Sequence, residues 1–218
     1  MRGIVITGGE GPAPGTLREI AAQADLIAAA DSGLAAAEEA GLSPDWVVGD
    51  MDSLGDMVSR DDPARLGKYP LERVIRYPRE KDFTDTELAL ALLREKGCDE
   101  IWLAGGGGGR VDHLFAIFSL FEADYPGVDR WFTRREEIRC LREGKALDAA
   151  LPPGSLVSVF PVGAGPWAAE SAGLKWPLDS LAWERGSGGL GLSNVAPEGA
   201  FQIRSVQGRF LVIWGVGE

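Results

Sequence analysis

The chain has 218 residues, 45% of them hydrophobic and 25% charged, a balance that supports a packed core and excludes an intrinsically disordered chain. A formal charge of -11 excludes the broad basic surface of a nucleic-acid binder, so a phosphate-bearing ligand would need bound metal or a few placed Lys and Arg. No apolar run reaches the roughly 18 residues of a membrane span, and the N-terminus lacks the layout of a signal peptide, so a cytoplasmic protein with no membrane partner is expected. Cys98 and Cys140 are too few for a disulfide framework, and His113, the one histidine, excludes a multi-histidine metal site.

Gly3 to Thr7, Leu26 to Ala30, Trp46 to Val48, Arg73 to Tyr77, Glu100 to Ala104 and Asp129 to Thr133 read as short strands, apolar on both faces. Between them lie helical patterns at Thr16 to Ala24, at Leu34 to Ala40 with Gly41 as C-cap, and at Asp85 to Lys96 with Gly97 as stop. Val111 to Phe121 is apolar nearly all round and is expected to be a deeply packed helix. These alternations predict an α/β fold with a parallel, Rossmann-like sheet and flanking helices. After about Arg135, Gly and Pro become frequent and helical periodicity ends, which predicts a smaller all-β domain. The expected division is 1–134 and 135–218. Phe201 to Val206 and Arg209 to Trp214 read as a hairpin turning at Gln207-Gly208.

Ligands of open α/β sheets bind beyond the carboxyl ends of the strands. There the chain places Thr7-Gly8-Gly9, Asp31-Ser32-Gly33, Gly49-Asp50-Met51-Asp52-Ser53, Arg79 to Asp85, and Gly105 to Gly109 followed by Arg110-Val111-Asp112-His113. Asp50 and Asp52 would repel by about 4 kcal/mol at roughly 4 Å and an intermediate dielectric, so a hard divalent cation would give the pair a purpose. A plain polar turn is the alternative. Thr84 and Glu87 have capping-box spacing, which puts Asp85 in a first helical turn. Lys81 beside that helix N-terminus is unfavourable unless an anion meets it, and a phosphate is the natural candidate. The glycine run suits either close backbone approach to a ligand or a surface loop. Arg110 offers a planar fork for phosphate. His113 is as readily structural as catalytic.

Asp31-Ser32-Gly33, Gly49-Asp50-Met51-Asp52-Ser53, Lys81-Asp82-Phe83-Thr84-Asp85 and Gly108-Gly109-Arg110-Val111-Asp112-His113, in this order and at these separations, resemble thiamine pyrophosphokinase (thiamine diphosphokinase). Gly173-Leu174-Lys175-Trp176-Pro177-Leu178 and Gly191-Leu192-Ser193-Asn194 resemble that family's second-domain signatures, so the resemblance spans nearly the whole chain. It implies a Mg²⁺-dependent transfer of the terminal diphosphate of ATP to the hydroxyl of thiamine, giving AMP and thiamine diphosphate. The first domain would bind nucleotide and carry catalysis, and the second would be a thiamine-binding β-sandwich. Asp50, Asp52 and Asp85 would hold Mg²⁺, with Asp31 in the reaction centre and beside the substrate. Lys81, Asp82, Thr84, Arg110 and Asp112, with His113 in the same motif, match nucleotide and phosphate positions. Ser193 and Asn194 match positions near a thiamine site that the family completes across a homodimer interface. Ser32 replaces a common glycine, Trp176 stands where tyrosine is usual, and Met57 to Leu71 maps to nothing.

Proton removal from the acceptor would fall to Asp31, to Asp112, or to metal and water. Two other readings remain: the same transfer to another hydroxymethyl acceptor such as a pterin, and a non-catalytic nucleotide-binding module. A sugar-nucleotide transferase would use Asp50 and Asp52 alone, and nothing else in the sequence supports it.

Overall fold

The computed structural model describes residues 1–50, 68–125, 127–184 and 191–216. The chain forms two compact units, Met1–Arg134 and Arg135–Glu218. The fold is mixed α/β, with parallel strands in the first unit and antiparallel strands in the second.

In the first unit, β1 (Arg2–Ile6), β2 (Leu26–Ala30), β3 (Trp46–Asp50), β4 (Val74–Tyr77), β5 (Glu100–Ala104) and β6 (Arg130–Phe132) pair in parallel in the order β6-β5-β1-β2-β3-β4. Among the described residues the α-helices are α1 (Pro14–Ala21), α2 (Gly33–Glu39), α3 (Asp85–Glu95) and α4 (Val111–Leu120). Alternation along β1 sorts them onto two faces. Ile4 and Ile6 join Leu17 and Ile20 of α1 and Ala37 of α2 in one core cluster. Gly3 points the other way, where a Cβ would lie 2.9 Å from Leu93 of α3, so α3 covers the opposite face.

The helix ends follow local chemistry. Thr84 and Glu87 make the full capping box: the Thr84 hydroxyl accepts from the Glu87 backbone N–H at 3.2 Å, and the Glu87 carboxylate accepts from the Thr84 N–H at 2.8 Å. Gly41 and Gly97 take φ of 70° and 91° just past α2 and α3, as glycine at a helix end should.

Two expectations fail. Only Ile117 and Leu120 of α4 are buried, while Val111 and Phe115 are 62% and 69% exposed. Its apolar residues ring the helix, but the sheet offers it one side only. Gln207-Gly208 is not a hairpin turn either. In the second unit β7 (Glu136–Leu141), β9 (Ser155–Val162), β11 (Gly191–Ala196) and β13 (Arg209–Gly215) form an antiparallel sheet in the order β11-β9-β13-β7. A separate sheet holds β8 (Ala146–Ala150), β10 (Ala168–Ala172) and β12 (Ala200–Gln207) in the order β10-β12-β8. Gly208 alone separates β12 from β13, too little for a two-residue loop, and at φ 76° it turns the chain from one sheet into the other. Phe201 and Ile203 of β12 and Phe210, Val212 and Trp214 of β13 then meet in one shared core.

The glycine run is drawn against the chain's own β1–α1 loop. Gly106 donates to the Gly8 carbonyl at 2.7 Å, and Gly107 and Glu10 exchange both backbone bonds at 2.9 and 2.7 Å. The Trp131 indole N–H donates to the Gly105 carbonyl at 2.7 Å from the buried side. For Gly105 to Gly107, close approach to protein backbone is reason enough for glycine; a Cβ on Gly105 would lie 2.2 Å from the Thr7 carbonyl oxygen.

Candidate active site

The carboxyl ends of β2 and β3 and the amino end of α3 bring three acids and a lysine together. Asp31 follows β2 directly and holds φ at 52°, a left-handed conformation that Asp tolerates better than most residues. Its backbone is tied across the sheet edge, donating to the Val48 carbonyl at 2.8 Å. The next residues must pass tightly under β1, because a Cβ on Gly33 would sit 2.1 Å from the Ile6 carbonyl oxygen. Asp50 is the last residue of β3. Asp85 opens α3, oriented by the capping box one residue earlier.

Lys81 closes on Asp85 at 3.3 Å, with the two side chains only 14% and 16% exposed. Lys81 also donates to the Pro78 carbonyl at 3.2 Å. The anion that meets this lysine in the protein itself is therefore Asp85. Burial pushes the Asp85 carboxyl above the ordinary carboxylate range, Lys81 pulls it partly back, and nearby Asp31 and Asp50 raise it further. Oδ1 of Asp31 is enclosed without a hydrogen-bond donor among the described residues, and Oδ1 of Asp85 is met by the Lys81 ammonium at 3.3 Å. Crowded, dehydrated carboxylate oxygens have the donor chemistry of a site for a hard cation. No group of three or more acids, His or Cys among the described residues closes around a metal. Asp52, the remaining expected ligand, lies outside the described residues.

Other expected residues sit differently. Arg110 and Asp112, 74% and 60% exposed, grip each other through two hydrogen bonds of 3.1 and 2.5 Å. The Arg110 hydrogen bond holds the Asp112 carboxyl below its usual range, which makes it a poor proton acceptor. His113 is exposed on the same turn, its backbone N–H bonded to Asp112 at 3.1 Å. Asp82 is exposed, and the Thr84 hydroxyl is already used as the cap, donating as well to Glu87 at 2.8 Å.

In the second unit, Ser193 is exposed with φ at 55°. Asn194 is 3% exposed, and its amide clamps the Trp176 backbone: Oδ1 accepts from the Trp176 N–H at 3.1 Å and Nδ2 donates to the Trp176 carbonyl at 2.6 Å. The Trp176 ring is left 52% exposed with the Lys175 ammonium 4.5 Å from its centre. Asn194 thus acts on the loop that bears Trp176.

Two features escaped the sequence reading. Thr7 and Thr86 hydroxyls meet at 2.8 Å, and a cavity of about 190 Å³ opens on the α1–α2 face of the sheet, lined by Ile6, Gly9, Pro12, Leu17, Ala36 and Ala104. Both join segments distant in sequence, and no local pattern marks them.

Known proteins resemble this chain in sequence profile and in fold. The sequence profile described as "Thiamin pyrophosphokinase, catalytic domain" matches residues 17–128. No curated protein matches the sequence. Among solved structures, a thiamin pyrophosphokinase family protein from Enterococcus faecalis is 27% identical with TM-score 0.75, covering 100% of both chains. Thiamin pyrophosphokinase from Geobacillus thermodenitrificans is 24% identical with TM-score 0.76, covering 100% of this chain and 99% of the other. That from Bacillus subtilis is 22% identical with TM-score 0.77, covering 100% of both. With the profile matched over half of its length, the chain belongs to the thiamin pyrophosphokinase family.

Proposed function

We propose that the protein transfers the diphosphate of ATP to the hydroxyl of thiamine, releasing AMP and thiamine diphosphate. The observation that carries this reading is the meeting of Asp31, Asp50, Asp85 and Lys81 at one end of the sheet, with the Asp85 carboxyl raised by burial and by its acidic neighbours. Attack of an alcohol on a phosphoryl group asks mainly for positioning and charge neutralisation. Asp50 and Asp85, with Asp52, would hold Mg²⁺, which neutralises phosphate charge and polarises phosphoryl oxygens when bound.

Lys81 shares its charge between Asp85 and an arriving phosphate. Arg110 exchanges the exposed Asp112 carboxylate for phosphate oxygens and keeps its planar, two-point geometry. Asp31, whose Oδ1 lacks a donor among the described residues, takes the proton of the acceptor hydroxyl. The second unit receives thiamine at Ser193, while Asn194 acts through Trp176. The working form is a cytoplasmic homodimer.

Incubation with ATP, Mg²⁺ and thiamine, with products resolved by chromatography, tests the reading. AMP and thiamine diphosphate in equal amounts support it. ADP, or equal turnover with a hydroxymethylpterin in place of thiamine, would sink it. Light scattering tests the dimer, and a fully active monomer would contradict it.

A further inference from the structure

Thr7 follows β1, 8% exposed, on the face covered by α3. A buried position there would be filled equally well by valine, which has the same shape. Its hydroxyl instead meets the Thr86 hydroxyl at 2.8 Å, and Thr86 is the second residue of α3, next to Asp85. The Thr7 backbone cannot drift. Its N–H donates to the Ala104 carbonyl of β5 at 2.9 Å. On one flank Gly33 comes so close that a Cβ there would lie 2.7 Å from the Thr7 Cα; on the other, a Cβ on Gly105 would lie 2.2 Å from the Thr7 carbonyl oxygen. The hydroxyl therefore projects from one of the most constrained points of the sheet edge and ties that point to the amino end of α3.

We propose that Thr7 is a positioning residue for diphosphate transfer. Through Thr86 it holds the first turn of α3 in register with β1, so that Asp85 and its Lys81 partner stay against Asp31 and Asp50. This rests on the function proposed above. The carboxyls repel one another, and a helix amino end free to slide would relax that repulsion by moving Asp85 away. A hydroxyl pair resists such sliding, while two methyl groups in its place would fill the space without fixing the register. Displacement of a reacting group by about 1 Å lowers rates on the order of 100-fold.

Thr7→Val, Thr86→Val, the double variant and Thr7→Ser decide the matter, read by melting temperature, by kcat and KM, and by Mn²⁺ binding followed by electron paramagnetic resonance without thiamine. Each valine variant should lose about 10- to 100-fold in kcat. KM for thiamine should hold, Mn²⁺ binding should weaken, and Thr7→Ser should stay near the parent. The double variant should be no worse than the poorer single one, as expected for two ends of one link. A Thr7→Val enzyme with parental kcat and parental Mn²⁺ affinity overturns the proposal, as do losses that multiply in the double variant or a serine variant as poor as valine. If Thr7→Val does not fold, Thr86→Val carries the same outcomes. A parent protein that makes no thiamine diphosphate would refute the proposed function, and the Mn²⁺ measurement would still judge the link.

Discussion

Asp85 shows what the site demands of a single side chain. Its carboxyl titrates above its unfolded value because burial outweighs the Lys81 ion pair. A raised acid binds more protons folded than unfolded between the two pKa values, so its contribution is present in acid and lost as pH rises through the raised value. The parent should therefore lose more melting temperature than Asp85→Asn as pH rises from acid to neutral, while the variant's activity is about 100-fold or more lower. An equal pH dependence in the two proteins would remove burial as the dominant influence. Asn194 acts on stability through hydrogen bonds instead. Asn194→Ala leaves the Trp176 N–H and carbonyl without their partners and should destabilise by about 1–3 kcal/mol in urea titration, with altered tryptophan emission.

At the scale of elements, glycine and caps decide where helices start. Gly33→Ala should push α2 off β1, because the collision at 2.1 Å is with backbone; a loss of about 1–3 kcal/mol is expected in denaturant unfolding. Thr84→Ala should lose about 1 kcal/mol as a cap, and Thr84→Ser should restore it. Stability equal in all three Thr84 proteins would show that the cap contributes nothing. Signals of this kind were readable in advance: the Thr84–Glu87 spacing, the stops at Gly41 and Gly97, and the short apolar strands are all local. The exposed face of α4 and the corner at Gly208 were not readable, because burial and strand partner depend on elements far along the chain. The acids at Asp31, Asp50 and Asp85 could be named from motifs. The Lys81–Asp85 pairing and the Thr7–Thr86 contact needed coordinates.

For the molecule as a whole, a charge of -11 sets the field that the proposed nucleotide substrate must cross. Net repulsion between like charges weakens with salt, whose screening length is about 10 Å at 0.1 M. Raising ionic strength from about 0.01 to 0.1 M should increase kcat/KM for MgATP. A decrease would mean that Lys81 and Arg110 dominate the approach despite the acidic surroundings.

The indole of Trp131 touches the glycine run from within the fold, bonded to Gly105 at the loop's root. It is one of seven tryptophans, so fluorine labelling would give a resolvable set of signals in which one nucleus lies against the loop that precedes Arg110. Addition of nucleotide should move that signal ahead of any chemistry, making Trp131 a native reporter of loop engagement that requires no attached dye.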